Sequence, residues 1–273
     1  MIGKRWKKKM TFDVHLSGKT AVISGSTAGI GFATAAALAA LGARVVITGR
    51  TAERVDSAVA ALREAGRVAI GVAGDLATAA GVEHLVRAVP DADILINNLG
   101  IFAPQRFEDI SDEDWLHFFE ANVLSGVRLT RAYLPVMRER NWGRVIFVSS
   151  ESGLQIPLEM IHYGVTKTAQ IALARGLAES VAGTGITVNS VLPGPTRSEG
   201  VGTFVQQLAE HEGISEAEME KRFFETARPT SLIKRFLTSD EVANAIAYLC
   251  TPAASGTTGS AMRVDGGVVR AIP

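Results

Sequence analysis

A single cysteine, Cys250, serves the whole chain of 273 residues, so neither an internal disulfide nor a cysteine-built metal site can form, and a reducing compartment, the cytoplasm, is the expected setting. Histidine is sparse as well. His15, His84, His117, His162 and His211 show no spacing that would bring two rings to one ion, so no metal is expected. Net charge is missing: 28 basic and 28 acidic side chains cancel, which removes the broad positive field a nucleic-acid surface needs. No apolar run reaches the roughly eighteen residues of a membrane helix, and no secretory signal core follows Met1, so neither span nor export is expected. Linker-like tracts and internal repeats are also absent between residues 12 and 270. One domain over 12–273 is the consequence, with residues 1–11 as a tail. Its Lys4-Arg5-Trp6-Lys7-Lys8-Lys9 run reads as a solvated end rather than a nucleic-acid or membrane anchor.

What is present is an alternation. Short β-branched runs at Thr20 to Ser24, Arg44 to Thr48, Val68 to Val72, Asp93 to Asn97, Arg144 to Ser149, Ile186 to Leu192 and Ser260 to Val264 lack polar alternation, as strands buried on both faces do. Helical stretches separate them: Ile30 to Leu41, Thr51 to Ala65, Ala77 to Ala88, Asp112 to Arg140, Leu158 to Val181 and Ser239 to Leu249. The pattern predicts an α/β fold of the Rossmann type, a doubly wound, parallel, seven-stranded sheet with helices on both faces. Residues 198–237 break the rhythm with charged helical pieces such as Glu216 to Thr226, and are expected to form an insertion over the sheet edge. Ligands of such sheets sit outside the carboxyl ends of the strands.

The first strand runs into Ser24-Gly25-Ser26-Thr27-Ala28-Gly29-Ile30-Gly31 and then directly into an apolar helix. Glycines allow a tight turn and a close backbone approach, and a helix N-terminus offers free N–H groups to a pyrophosphate. Gly18-Lys19-Thr20 imitates the end of a nucleotide P-loop, but Asp13 stands where that motif needs glycine. At the end of the second strand, where an NAD enzyme places a carboxylate on the ribose hydroxyl, the chain has Gly49-Arg50. A guanidinium there suits a 2′-phosphate, so NADP(H) is preferred and NAD(H) remains possible. Asp75-Leu76, after the third strand, is placed to bracket an adenine, with Asp75 also positioned to cap the next helix.

At the other end of the crevice, Tyr163 and Lys167 share one helix face at i, i+4, thirteen residues after Ser149-Ser150 closes the fifth strand. A nearby ammonium favours the phenolate, and lowering an ordinary phenol of pKa ~10 by about three units needs about 4 kcal/mol, which a lysine and a nicotinamide cation together can supply. His162, on a different face, is expected at the cleft or the surface.

Taken in order, Ser24 to Gly31, Asn97-Asn98-Leu99-Gly100, Ser149-Ser150, Tyr163-Gly164-Val165-Thr166-Lys167, Pro193-Gly194-Pro195-Thr196 and Val264-Asp265-Gly266-Gly267 resemble the motifs of the compact short-chain dehydrogenases/reductases, from about Leu16 to the C-terminus. Ser24 replaces that family's usual threonine and Leu99 its usual alanine. The resemblance implies Tyr163 as proton donor or acceptor, Lys167 as modulator of its pKa and ribose ligand, and Ser150 as the hydroxyl that orients the substrate oxygen. It implies Asn122 as the residue completing a water-borne proton relay to the lysine. Asn98 and Gly100 would line the cofactor beside Gly25, Ser26, Thr27, Gly29, Ile30 and Gly31, with Pro193, Gly194 and Thr196 near the nicotinamide. The implied reaction passes a hydride between a nicotinamide and a carbonyl or secondary alcohol carbon, with no metal.

Two other readings share the fold: a protein that senses NADP(H) with little turnover, and an NAD-preferring alcohol dehydrogenase. The intact Ser150, Tyr163, Lys167 and Asn122 set speaks against the first and Arg50 against the second. The substrate pocket is expected from Leu154, Ile156, Leu158, Met160, Phe204, Phe223 and Phe224 with Glu151 and Glu199, which suits a moderately apolar small molecule. The long helices Asp112 to Arg140 and Leu158 to Val181 suggest a homo-oligomer, a tetramer or dimer.

Overall fold

The computed structural model describes residues 12–198, 201–202, 206, 209–210 and 212–272. The basic N-terminal run, Glu199, Phe204 and His211 lie outside the described residues. Seven strands, β1 (Thr20–Ile23), β2 (Arg44–Gly49), β3 (Ala69–Ala73), β4 (Ile94–Asn97), β5 (Gly143–Val148), β6 (Ile186–Pro193) and β7 (Ala261–Val264), make one sheet in the order β3-β2-β1-β4-β5-β6-β7. Every pairing is parallel.

Alternate strand residues feed two cores, which is why the strands read as continuous apolar runs. Ala21, Ile23, Val45 and Ile47 face α1 (Gly29–Ala40), α2 (Ala52–Glu64) and α8 (Ser239–Cys250). Val22, Val46, Leu95 and Phe147 face α3 (Ala79–Ala88), α5 (Ser125–Glu139) and α6 (Ile161–Ser180). The order reverses between β1 and β4, so the chain leaves these neighbours toward opposite faces and a crevice opens at their carboxyl ends. Among the described residues no helix is long and apolar enough to cross a membrane.

One element departs from the sequence reading, and the insertion follows it. The stretch expected as one helix from Asp112 to Arg140 is α4 (Asp112–Phe119), a π-helical turn at Glu120–Leu124, and α5. A π turn keeps the side-chain periodicity approximately helical while withdrawing a carbonyl from the α ladder, so apolar spacing cannot reveal it. The insertion is tied at its base, where Leu237 N donates to Pro195 O (2.9 Å) and Arg197 N to Leu237 O (2.8 Å). It carries α7 (Glu216–Thr226) on a small core of its own that includes Met219, Phe224 and Phe236.

Candidate active site

The glycine turn is fastened to strands on both sides. Ser24 Oγ accepts from the backbone N–H of Asn98 and of Leu99, each at 2.9 Å, so the serine that replaces threonine keeps the hydroxyl where it is used. Asn98 Nδ2 donates to Ser24 O (3.0 Å) and Gly25 O (2.9 Å). Gly25 and Gly29 have φ of +61° and +57°, a region costly for side-chain-bearing residues. At Gly31 a Cβ would lie 2.4 Å from Gly25 O and 2.7 Å from Asn98 Nδ2, so only glycine lets α1 pack this close. Ala28, at the N-cap of α1, has no side chain to bond the helix's first N–H groups, whereas Thr78, Ser111, Ser215 and Thr238 cap α3, α4, α7 and α8. Unclaimed donors beside a glycine cradle fit a dinucleotide pyrophosphate.

Three residues of this end differ from expectation. The Ser26 hydroxyl is buried, donating to Ile23 O (2.8 Å) and accepting from Thr48 N (2.9 Å), so it ties β1 to β2 instead of facing a ligand. Leu76 packs into the α3–α5 core because the chain turns inward after Asp75, which takes its side chain away from an adenine. Thr78, and not Asp75, caps α3; the Asp75 carboxylate accepts from Ala77 N (3.0 Å) in a turn before the helix. Arg50 lies exposed just past β2 and forms no ion pair with Glu53 or any other described carboxylate. Exposed Asp75 follows the neighbouring β3.

Ser150, Tyr163 and Lys167 converge on a cavity of about 750 Å³, shared with Ile30, Asn98, Gly100, Pro193, Gly194 and Thr196. Ser149 Oγ donates to Lys167 O (2.7 Å), fixing the end of β5 to α6. The Ser150 hydroxyl accepts from Ser152 N (3.1 Å) and donates to Glu151 Oε2 (3.2 Å). Lys167 Nζ donates to Val148 O (3.0 Å) and Gln170 Oε1 (3.1 Å), and lies 5.6 Å from the Tyr163 ring centre. Gly100 is close over it: a Cβ there would meet Lys167 Nζ at 3.3 Å.

Burial pushes the Tyr163 phenol up to about 12, opposed by the Ser150 hydroxyl, which favours the ionised form. Burial also takes the Lys167 ammonium down to about 7. The lysine's protons point to Val148 O and Gln170, and the dry cleft disfavours both charged forms.

Asn122 sits in the π turn. Its Oδ1 accepts from Ile101 N (2.7 Å), and its Nδ2 donates to Ile101 O (3.1 Å) and Thr166 Oγ1 (2.9 Å), pinning the loop after β4 to α6. Its backbone carbonyl accepts from Gln170 Nε2 at 2.5 Å. His162 is fully buried instead of lining the cleft or surface. Its ring centre is 3.9 Å from that of Phe118, and neither nitrogen has a hydrogen-bond partner among the described residues. Helix α4 covers the face that periodicity alone left open.

Met160, Phe223 and Glu151 line the cavity as read from the sequence. Leu154, Ile156 and Leu158 face outward, and Phe224 is drawn into the core of the insertion. Sequence reasoning missed Phe102, Met219, Phe236 and Arg228 in the lining. Arg228 Nε donates to Glu151 Oε1 (2.9 Å) and its Nη1 to Glu159 Oε1 (3.3 Å). These partners are 77 and 69 positions away, and no local pattern announces them.

A family model described as enoyl-(acyl carrier protein) reductase matches residues 25–269. The chain is 46% identical over 261 residues to the uncharacterized oxidoreductase YvaG of Bacillus subtilis (strain 168), covering 95% of this chain and 99% of that protein. It is 34% identical over 260 residues to a D-β-hydroxybutyrate dehydrogenase of Cupriavidus necator, covering 93% and 99%. Among solved structures, L-sorbose reductase from Gluconobacter frateurii, complexed with NADPH and L-sorbose, matches with a TM-score of 0.90 at 34% identity, covering 95% of this chain and 100% of that one. The chain belongs to the short-chain dehydrogenase/reductase family. It is an oxidoreductase acting on CH–OH or C=O groups.

Proposed function

We propose that the protein is an NADP(H)-dependent reductase of uncharged carbonyl compounds, working through Tyr163. The observation that carries this is the meeting of Ser150, Tyr163 and Lys167 in one cavity that opens onto the glycine turn. The bound nicotinamide dinucleotide supplies the hydride chemistry. The N–H groups at the start of α1, with Gly25, Thr27, Gly29, Ile30 and Gly31, hold its pyrophosphate. Arg50 holds the 2′-phosphate, Asp75 the adenine side, and Gly100, Pro193, Gly194 and Thr196 the nicotinamide side, while Asn98 acts on the site by holding the turn closed.

Ser150 and Tyr163 orient the substrate oxygen, and Tyr163 gives it a proton as general acid. Lys167 keeps its ammonium beside the phenol and stabilises the phenolate left behind. Asn122 positions the Ile101 loop and α6. The substrate class follows from charge. The described charged groups in the cavity wall are Glu151, Glu159, Lys167 and Arg228; the guanidinium is taken by two carboxylates and the ammonium is turned to Val148 O and Gln170. A substrate carboxylate would meet two carboxylates, a guanidinium already paired with them and a single remaining N–H of Lys167, whereas a neutral ketone or hydroxyketone fits among Phe102, Met160, Met219, Phe223 and Phe236. The likeness to an NADPH-bound reductase of a neutral sugar supports both parts.

The cytoplasm and a homo-oligomer belong to the same reading. Leu116 on α4 and Leu124 at the end of the π turn are exposed, and an apolar cleft between α5 and α6 is lined by Val127, Leu134, Leu173 and Leu177, as a face shared between copies would be. Residues 12–273 act together as one domain. Fluorescence titration with NADPH and NADH, followed by a panel pairing neutral ketones with keto acids of matched size, tests the function. Tighter NADPH binding and turnover confined to the neutral members is the expected result; turnover of the keto acids alone overturns the substrate class, and binding of neither nucleotide overturns the whole reading.

A further inference from the structure

Gln170 lies on α6 one turn beyond Lys167 and is buried, 1% exposed. Its side-chain amide joins two groups of the site: Oε1 accepts from Lys167 Nζ at 3.1 Å, and Nε2 donates to Asn122 O at 2.5 Å. The Asn122 carbonyl belongs to the π turn at Glu120–Leu124. With Val148 O at 3.0 Å, two of the three ammonium protons are assigned, which leaves one for the cavity.

We propose that Gln170 is a positioning residue that bridges Lys167 to the Asn122 carbonyl where the family resemblance implies a water. It thereby aims the ammonium and closes the internal proton path between lysine and asparagine. The inference rests on the reductase reading above. An amide donates and accepts hydrogen bonds but, unlike water, does not readily pass on a proton, so a carboxamide in this gap conducts none from Lys167 to Asn122. After Tyr163 has given its O–H proton to the substrate oxygen, the phenolate regains one from water on the open side of the cavity. One proton leaves the phenol and one returns to it.

The experiment compares wild type, Gln170→Leu and Gln170→Ala, with Tyr163→Phe as a control, in single-turnover reduction of a neutral ketone by NADPH across pH and in H2O/D2O mixtures. Leucine keeps the volume and removes both hydrogen bonds; alanine leaves room for water. Gln170→Leu is expected to slow the reaction about 10- to 100-fold, the cost of one hydrogen bond to a charged group. Its alkaline limb should move to lower pH, because the ammonium loses an acceptor that favours its charged form. Gln170→Ala is expected to recover part of that rate. The wild-type rate should fall linearly with deuterium fraction, as one proton in flight requires, and this measurement needs no variant to fold. A bowed wild-type dependence overturns the inference. So does a Gln170→Leu enzyme with the wild-type rate and pH profile, or equal losses in both variants with the profile unmoved, which would mark simple packing. Tyr163→Phe at the wild-type rate would instead defeat the reductase reading itself.

Discussion

The side chain of Asn98 reaches across the point where the strand order reverses and bonds the carbonyl of Ser24 at 3.0 Å and that of Gly25 at 2.9 Å. Asn98→Ala leaves both carbonyls without that donor and loosens the turn. A cost of about 1–3 kcal/mol is expected, lowering Tm by roughly 2–5 °C in a domain of this size. The KM for NADPH should rise more than that for the carbonyl substrate. Differential scanning fluorimetry with steady-state kinetics checks both.

Arg50 stands exposed at the end of β2, and the proposed function gives it the 2′-phosphate. Arg50→Ala should weaken NADPH binding by about 1.5–3 kcal/mol, roughly 10- to 150-fold, and leave NADH nearly unchanged. Fluorescence titration of each nucleotide into each protein reads this. Equal losses for both would remove Arg50 from the selectivity.

Arg228 carries an ion pair whose partner, Glu151, has a side chain only 4% exposed. Arg228→Ala leaves that carboxylate buried without its cation, which should cost about 3–5 kcal/mol of stability. It should also disturb Ser150, which donates to the same carboxylate. The expected outcome is a lower urea midpoint together with a higher KM for the ketone. Arg228→Lys, which keeps the charge but not the fork, should recover part of the stability.

Burial holds the His162 imidazole below its ordinary value, with the Asp114 carboxylate pulling the other way. An unfolded histidine protonates near pH ~6.5, so as pH falls the unfolded chain takes up its proton first. Stability present above that pH is therefore lost as pH falls toward the lower folded value. His162→Phe, which keeps a ring against Phe118, should flatten this part of the profile. Chemical denaturation of both proteins on either side of pH ~6.5 measures the difference.

Much of this was legible in the chain because the signals are local. The strand runs from Thr20 and Arg44 lie within a residue of the observed β1 and β2, since burial on both faces writes itself into consecutive apolar residues. Ser150, Tyr163 and Lys167 were readable from spacing on α6 and the end of β5. The rest depends on partners far apart in sequence. Gln170 reaches Asn122 across 48 positions and Arg228 reaches Glu151 across 77. The π turn hides inside a continuous amphipathic pattern, and His162 is buried by α4, whose placement no spacing on α6 could disclose. Ser26 and Leu76 sit at motif positions, yet the interior claims their side chains.

The decisive measurement is single-turnover reduction of a neutral ketone such as L-sorbose by NADPH with Tyr163→Phe beside the wild type. The variant should bind NADPH as the wild type does and transfer hydride about 10²- to 10⁴-fold more slowly, the usual contribution of a general acid. Reduction by the variant at the wild-type rate would show that the proton comes from elsewhere and would contradict the role given to Tyr163.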